Sequence, residues 1–302
     1  MKTSENSTPL PTSTTHAIRL CLFQATRRPQ VLKRETILTP WGKIKISGKL
    51  GQQHADVLEA ICYEREKKGS TEDGRIKLLV DPARVRRRAN QVSGSSFDHV
   101  LEELQQAVIQ IIEPTKLACS GHLIDHIDKA LRSDGTHIVR DNPLGGQRHL
   151  WRVEIGKAFC KLVSGDIWLG YDPARLARLD HGISQAVARH VLSHRAQPVG
   201  GWHVDTLIEA VTAGAVRAGS TAIRDRRREL HRDAPALLDS GILIEAGRLL
   251  KVDAAKPLKP DSVEHKPDSV EHKPDFSRYM FSTFQVHEQA PGSAFWAARR
   301  AQ

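Results

Sequence analysis

Five arginines, Arg224, Arg226, Arg227, Arg228 and Arg232, fall within nine positions of the stretch "GSTAIRDRRRELHR", with only Asp225 and Glu229 among them. Guanidinium groups are planar, permanently charged forks, suited to two-pronged contacts with phosphates and guanine edges. At about 100° per residue, Ile223, Leu230, Ala234 and Leu237 form an apolar stripe. Arg224, Arg228 and Arg232 run i, i+4, i+8 along another face, joined there by Thr221. Arg227 and His231 lie between the two faces. Gly219 and Ser220 supply a helix start, because a serine oxygen accepts from the free N–H groups of the first turn. An ordinary solvated helix tends to pair lysine with glutamate at i, i+4. This one uses arginine without lysine, which predicts a helix packed by one side with a cationic side outward.

The flanking segments predict how such a helix is held. "RLDHGISQAVARHVLSHR" reads as a helix with Ile183, Val187 and Val191 inward, and with His181, His190 and His194 on its surface. "HVDTLIEAVTA" reads as a shorter helix and "GAVRAGS" as a turn. The arginine helix runs on or restarts through "APALLDSG". "GILIEAGRLLKV" reads as a hairpin turning near Ala246-Gly247. Helix, turn, helix and hairpin is the order of a helix-turn-helix with a wing, whose second motif helix lies in the DNA major groove. Ser220, Thr221, Arg224, Arg227, Arg228 and Arg232 are then the candidate contacts, with Arg248 on the wing.

The front half repeats much of this order. "AIRLCLFQATRR" and "ETILTPWGKIKISGKL" read as short strands, the second containing a Pro40-Trp41-Gly42 turn. "QQHADVLEAICYERE" reads as an amphipathic helix with Val57, Leu58, Ile61 and Cys62 inward. "GRIKLLVD" is a strand, and "PARVRRRAN" a short helix opened by Pro82. "SSFDHVLEELQQAV" follows as a helix burying Phe97, Val100, Leu101 and Leu104, with Ser95 and Asp98 as a capping-box variant. "AVIQIIEP" and "HLWRVEIG" supply further strands. The 95–108 helix exposes Asp98, Glu102, Glu103, Gln105 and Gln106, an acidic face that phosphate repels. Arg84, Arg86, Arg87 and Arg88 carry the basic character of this half, which is therefore assigned to contacts with the DNA backbone or with another protein.

The expected fold is α+β, with two tandem winged-helix (helix-turn-helix) domains at 16–155 and 156–254, flanked by disordered tails. Residues 1–15 are polar and read as disordered. Residues 255–275 carry the seven-residue repeat "KPDSVEH", whose prolines forbid a continuous coiled coil and leave a semi-extended linker. Residues 276–302 hold six aromatics and are expected to dock on the core or on a partner.

Whole-chain properties narrow the classes. The 302 residues carry a formal net charge of +10, which points to an anionic partner. No apolar run of about 18 residues occurs, so no membrane span is expected. The start has no hydrophobic signal segment, and Cys21, Cys62, Cys119 and Cys160 are scattered, which fits a cytoplasmic location. A phosphate loop is not formed by "GKIKISGKL", where five residues separate Gly42 from Gly48 and Leu50 replaces the Mg²⁺-binding Ser or Thr. Rolling-circle nicking needs a tyrosine beside a metal-bound His pair, and no His-apolar-His triplet accompanies Tyr63, Tyr171 or Tyr279. "CSGHLIDH" sets Cys119, His122 and His126 at helical spacing without a fourth ligand. No enzyme, cofactor or metal is therefore expected. "RLCLF" is similar to the short Leu-x-Leu-Phe peptides that enter sliding-clamp pockets, with Leu22 and Phe23 as anchors. An alternating strand with Leu20 and Leu22 on one face is the favoured alternative.

With "HVDTLIEAVTAG…STAIRDRRRELHRDAPALLDSGILIE" in view, the chain resembles the plasmid replication initiators built from two winged helices. Ala236, Leu237, Leu238 and Gly241 fit the small-residue end that precedes the wing in that family. "AIRLCLFQATRR" through "WGKIKISGKLGQQHADVLEAI" is similar to the TrfA-like subgroup, and the likeness spans about residues 17 to 252. The resemblance implies binding to direct repeats, called iterons, in double-stranded DNA at a plasmid origin. It also implies recruitment of the host initiator, replicative helicase and sliding clamp, and a homodimer formed through the first winged helix, with iterons bound by monomers. A winged-helix transcriptional repressor would use the same residues on one operator. A nuclease would need a carboxylate cluster that the sequence does not suggest.

Overall fold

The computed structural model describes residues 12–252, apart from 40–41, 74, 92, 114–115, 143–144, 164–167 and 217–219. The "KPDSVEH" repeat and the aromatic C-terminal segment lie outside the described residues.

The described chain opens with β1 (Ser13–Thr14) and α1 (Thr15–Arg19). Residues 12–15, expected within a disordered tail, are ordered instead: Thr12 and Thr14 are buried and β1 pairs with a later strand. The strand expected at "AIRLCLFQATRR" is replaced by α1 and irregular chain. Cys21 takes a left-handed φ of 52°, and Leu20 and Leu22 both enter the core. Next come the hairpin β2 (Leu32–Thr39) and β3 (Gly42–Gly48), then α2 (Gln52–Tyr63). Along β3, buried Ile44 and Ile46 alternate with Lys43 and Lys45, the period of a half-buried strand.

β4 (Arg65–Ser70) and β5 (Ile76–Val80) lead into α3 (Pro82–Arg88), capped by the Asp81 carboxylate accepting from Ala83 N–H at 3.0 Å. α4 (Gly94–Gln106) starts at Ser93, whose hydroxyl accepts from Ser96 N–H at 3.1 Å. The cap is thus Ser93 rather than the Ser95–Asp98 pair. Five strands follow: β6 (Val108–Glu113), β7 (Lys116–His122), β8 (Ile124–Lys129), β9 (Val139–Asp141) and β10 (Gln147–His149). β11 (Trp151–Ile155) completes this half. Cys119, His122 and His126 lie on β7 and β8, so the helical spacing considered for a metal does not exist.

α5 (Lys157–Val163) still belongs to the first core, which it joins through Ala158 and Phe159, past the boundary expected at 155. The second half comprises β12 (Trp168–Leu169), α6 (Pro173–Ala177), α7 (Gly182–Leu192) and β13 (Trp202–His203). α8 (Val204–Val211), α9 (Thr221–Arg232) and α10 (Ala234–Asp239) precede the hairpin β14 (Ile242–Glu245) and β15 (Arg248–Lys251).

The fold mixes helices with antiparallel sheets. Two sheets have four strands, ordered β2-β3-β6-β7 and β4-β5-β11-β8, and a third has the order β13-β15-β14. Within the second sheet, β5-β11-β8 matches β13-β15-β14 in how chain order maps to sheet order. One apolar core gathers Ile44, Ile46, Ile61, Leu104, Ile109 and Val153. A second gathers Ile183, Val187, Ile208, Ile223, Leu230 and Leu249.

Where these cores meet, α2 and α7 bury polar faces against each other. On α2 every residue but Gln53 and Tyr63 is buried, including Gln52, Asp56 and Glu59. Arg189 of α7 reaches Asp56 Oδ1 at 2.6 Å, Glu59 Oε1 at 3.0 Å and Gln52 Oε1 at 2.7 Å. Gln185 donates to Asp56 Oδ2 at 3.0 Å, and the Tyr171 hydroxyl donates to Glu59. Burial alone pulls the Arg189 guanidinium down, but the Glu59 and Asp56 charges outweigh it and hold the group well above its usual range. His190 is buried rather than on the surface, with its Nε2 at 3.3 Å from that of His194. Burial first, then His194 and Arg19, push His190 down to about 3; burial, Arg19 and Lys251 push His194 down to about 4.

Arg189→Ala leaves two carboxylates buried without a cation and is expected to cost about 3–5 kcal/mol, measured by urea unfolding. The histidine pair gives a pH signature. Both groups are neutral in the folded state and protonate more readily when unfolded. Their contribution is complete above about pH 6.5 and is lost as pH falls through about 4 to 3. Stability against pH should fall less steeply below 6.5 in His190→Gln/His194→Gln than in the parent chain.

Candidate nucleic-acid interface

The arginine helix is α9, and its start is set by a cap. Ser220 holds an extended backbone and its hydroxyl accepts from Ile223 N–H at 3.4 Å. Ile223 and Leu230 are buried, so one stripe faces the second core. The stripe does not run through one helix. α9 ends at Arg232, and Asp233 separates it from α10, where Leu237 resumes the buried line. Asp233 is itself buried and accepts from His181 N–H at 3.0 Å, which ties this junction to the start of α7.

Opposite the stripe, Thr221, Arg224, Arg228, His231 and Arg232 are exposed. Among the described residues Arg224 and Arg232 take no ion-pair partner. Arg228 lies 3.5 Å from Asp225, and both side chains are about two-thirds exposed or more, at 73% and 68%. Such a pair is worth little, because water screens it and two side chains must be ordered. Arg226 donates to Glu229 at 2.7 Å, one turn along.

Arg227 stands apart. It gives Nε–H to Asp205 Oδ1 and Nη2–H to Asp205 Oδ2, a two-pronged pair between α9 and the first turn of α8. Arg227's hydrogen bonds hold the Asp205 carboxyl below its usual range. Sequence reading passed over Asp205; its signal is an acidic residue in the first turn of the helix preceding the arginine cluster.

The hairpin is locked to α8. Ala246 and Gly247 at φ 45° and 73° make the tight turn between β14 and β15. Gly247 C=O accepts from Val204 N–H at 3.1 Å, so the turn meets the start of α8. β13 joins the sheet edge through Gly201, where a Cβ would sit 2.3 Å from Leu249 O. Arg248 pairs across strands with Glu245 and His203, and its Nη1 donates to Gly200 C=O at 3.3 Å. The fold thus brings α8, α9 and Arg248 into one module.

The front-half arginines divide. Arg86 and Arg87 are exposed, and Arg84 is 3.9 Å from Glu64. Arg88 is committed elsewhere: Nε–H donates to Glu64 at 2.7 Å, Nη1 to Asp172 at 2.8 Å, and the guanidinium lies 4.4 Å over the Tyr63 ring. A guanidinium held on three sides is not available to phosphate, so Arg88 is a clamp between α2, α3 and the chain entering α6. Leu22 is 1% exposed and Phe23 packs against the first core, so neither side chain stands free as a peptide anchor. On α4, Asp98 and Glu102 are exposed as expected, but Glu103 is buried and binds His54 at 2.7 Å and Lys49 at 2.9 Å.

Among the described residues no helix is long and apolar enough to cross a membrane. No protein-family model matches the chain, and comparison with curated proteins finds no match. Among solved structures, the chain is similar to selenomethionine domains 2 and 3 of RctB, at 12% identity and TM-score 0.47, over 79% of this chain and 96% of that one. A second structure of RctB domains 2–3 is similar at 10% identity and TM-score 0.42, over 77% and 94%.

Ser220→Ala removes the α9 cap and is expected to cost about 1 kcal/mol, read from the shift in chemical-denaturation midpoint.

Proposed function

We propose that the chain is a sequence-specific double-stranded DNA-binding protein, a plasmid replication initiator of the two-winged-helix kind related to the TrfA-like subgroup. The observation that carries this is the outward face of α9, where Arg224, Arg228 and Arg232 stand exposed beside a hairpin wing. The order α7, β13, α8, α9, β14, β15 with sheet order β13-β15-β14 supports a winged helix. The order α2, β5, α3, α4, β8, β11 with β5-β11-β8 supports a second one in the front half. In this reading residues 156–254 read bases through Arg224, Arg228 and Arg232, with Arg227 at their edge. Ser220 and Thr221 meet the backbone at the helix start, and Arg248 meets the adjacent groove. Residues 16–155 add phosphate contacts through Arg84, Arg86 and Arg87. The protein binds direct repeats, recruits host initiator, helicase and clamp, works in the cytoplasm and catalyses no reaction itself.

Footprinting on the DNA flanking its own gene, at two salt concentrations, tests this. Protection over direct repeats in one helical phase is expected, and Arg228→Ala should weaken binding there by about 1–3 kcal/mol. One symmetric site would indicate an operator-binding repressor. Uniform weak protection that vanishes with salt would mean the arginines hold only phosphates.

A further inference from the structure

We propose that Asp205 is a positioning residue that sets the base preference of Arg227; the inference rests on the DNA-reading role assigned to α9. A guanidinium has five N–H donors on three nitrogens in a rigid plane. Asp205 takes one edge of that plane, the Nε–H and one Nη2–H. The end of the plane, with one Nη1–H and the second Nη2–H side by side, is left to an outside acceptor. Two parallel donors at that spacing match the O6 and N7 acceptors of guanine in the major groove.

The surroundings hold this arrangement in place. Asp205 sits in the first turn of α8, and the residue before it, Val204, is hydrogen-bonded to the wing turn. The carboxylate is therefore fixed to both the hairpin and the helix pair. Both partners remain partly exposed, at 43% for the Arg227 side chain and 32% for Asp205, so the pair lies at the surface rather than under it. A buried pair would only brace the fold. An exposed arginine without such a brace swings freely and settles on any phosphate, gaining affinity without selectivity. Asp205 also repels phosphate, so it disfavours the non-specific pose while fixing the specific one. Both effects raise discrimination rather than affinity.

The test is enrichment of random duplex DNA by the full chain and by Asp205→Ala, followed by titration of the enriched site and single-base variants. The parent chain should enrich a motif containing a guanine that Arg227→Ala no longer requires. Asp205→Ala should lose about ten- to hundredfold discrimination at that guanine, with non-specific binding unchanged or stronger and a steeper salt dependence. The double variant should discriminate no worse than Arg227→Ala alone. A merely structural role would instead weaken binding to all duplexes equally, and that result overturns the proposal. Unchanged preference for the guanine in Asp205→Ala overturns it as well. If the parent chain enriches no motif, the DNA-reading assignment of α9 fails first and takes this inference with it. Asp205→Asn, checked for folding by thermal unfolding, keeps the shape but only one acceptor oxygen. It should show the same loss should Asp205→Ala fail to fold.

Discussion

Arg189 is the group on which the arrangement of the two cores depends. A guanidinium removed from water costs several kcal/mol unless its hydrogen bonds and charge are answered. Here Asp56, Glu59 and Gln52 answer it from successive turns of α2, while Gln185 donates to the second Asp56 oxygen and Tyr171 adds a donor to Glu59 Oε1. The geometry admits one register of α7 against α2. A slip by one residue would leave charges buried without partners, a penalty that apolar contact does not offset.

That selection reaches the candidate interface through α7. The helix is buried along nearly its whole length, Gly182 to Val191, so it transmits position in both directions. Its start is tied to Asp233 between α9 and α10. Its C-terminal cap, Ser193, accepts from Arg19 of α1 at 3.3 Å through its hydroxyl and at 3.0 Å through its carbonyl. The segment near the N-terminus therefore closes over the same seam, pairing β1 with β12 and giving Thr12 Oγ1–H to Tyr171 C=O at 2.6 Å. The arginine helix is carried on a frame braced at both ends of α7.

Surface charge is sorted by the same rule of pairing. Arginines that meet carboxylates in two-pronged geometry, such as Arg88 with Glu64 and Asp172, become structural ties. Those left on a convex helix face with only a weak neighbour, such as Arg224, Arg228 and Arg232, stay available to an anion. Arg227 falls between these cases, paired along one edge of its plane and open at its end. Net positive charge alone does not distinguish these roles, because it counts all of them alike.

Periodicity and punctuation made much of this legible in the sequence. The inward stripes of α2, α4, α7 and α9 follow from spacing, because a 3.6-residue turn places those side chains on one line. The Pro82 start, the Ser220 cap and the Ala246-Gly247 turn follow from backbone preferences local to a few residues. What local preference cannot reveal is which polar residue finds a distant partner. Asp56 and Glu59 look like the solvated face of an amphipathic helix until Arg189, 130 or more positions away, is laid against them. Glu103 reads as exposed for the same reason, and Arg88 reads as free. Asp205 joins Arg227 at the candidate interface only when α8 and α9 cross. Covalent neighbours set which residues point the same way; only the packed chain sets what they point at.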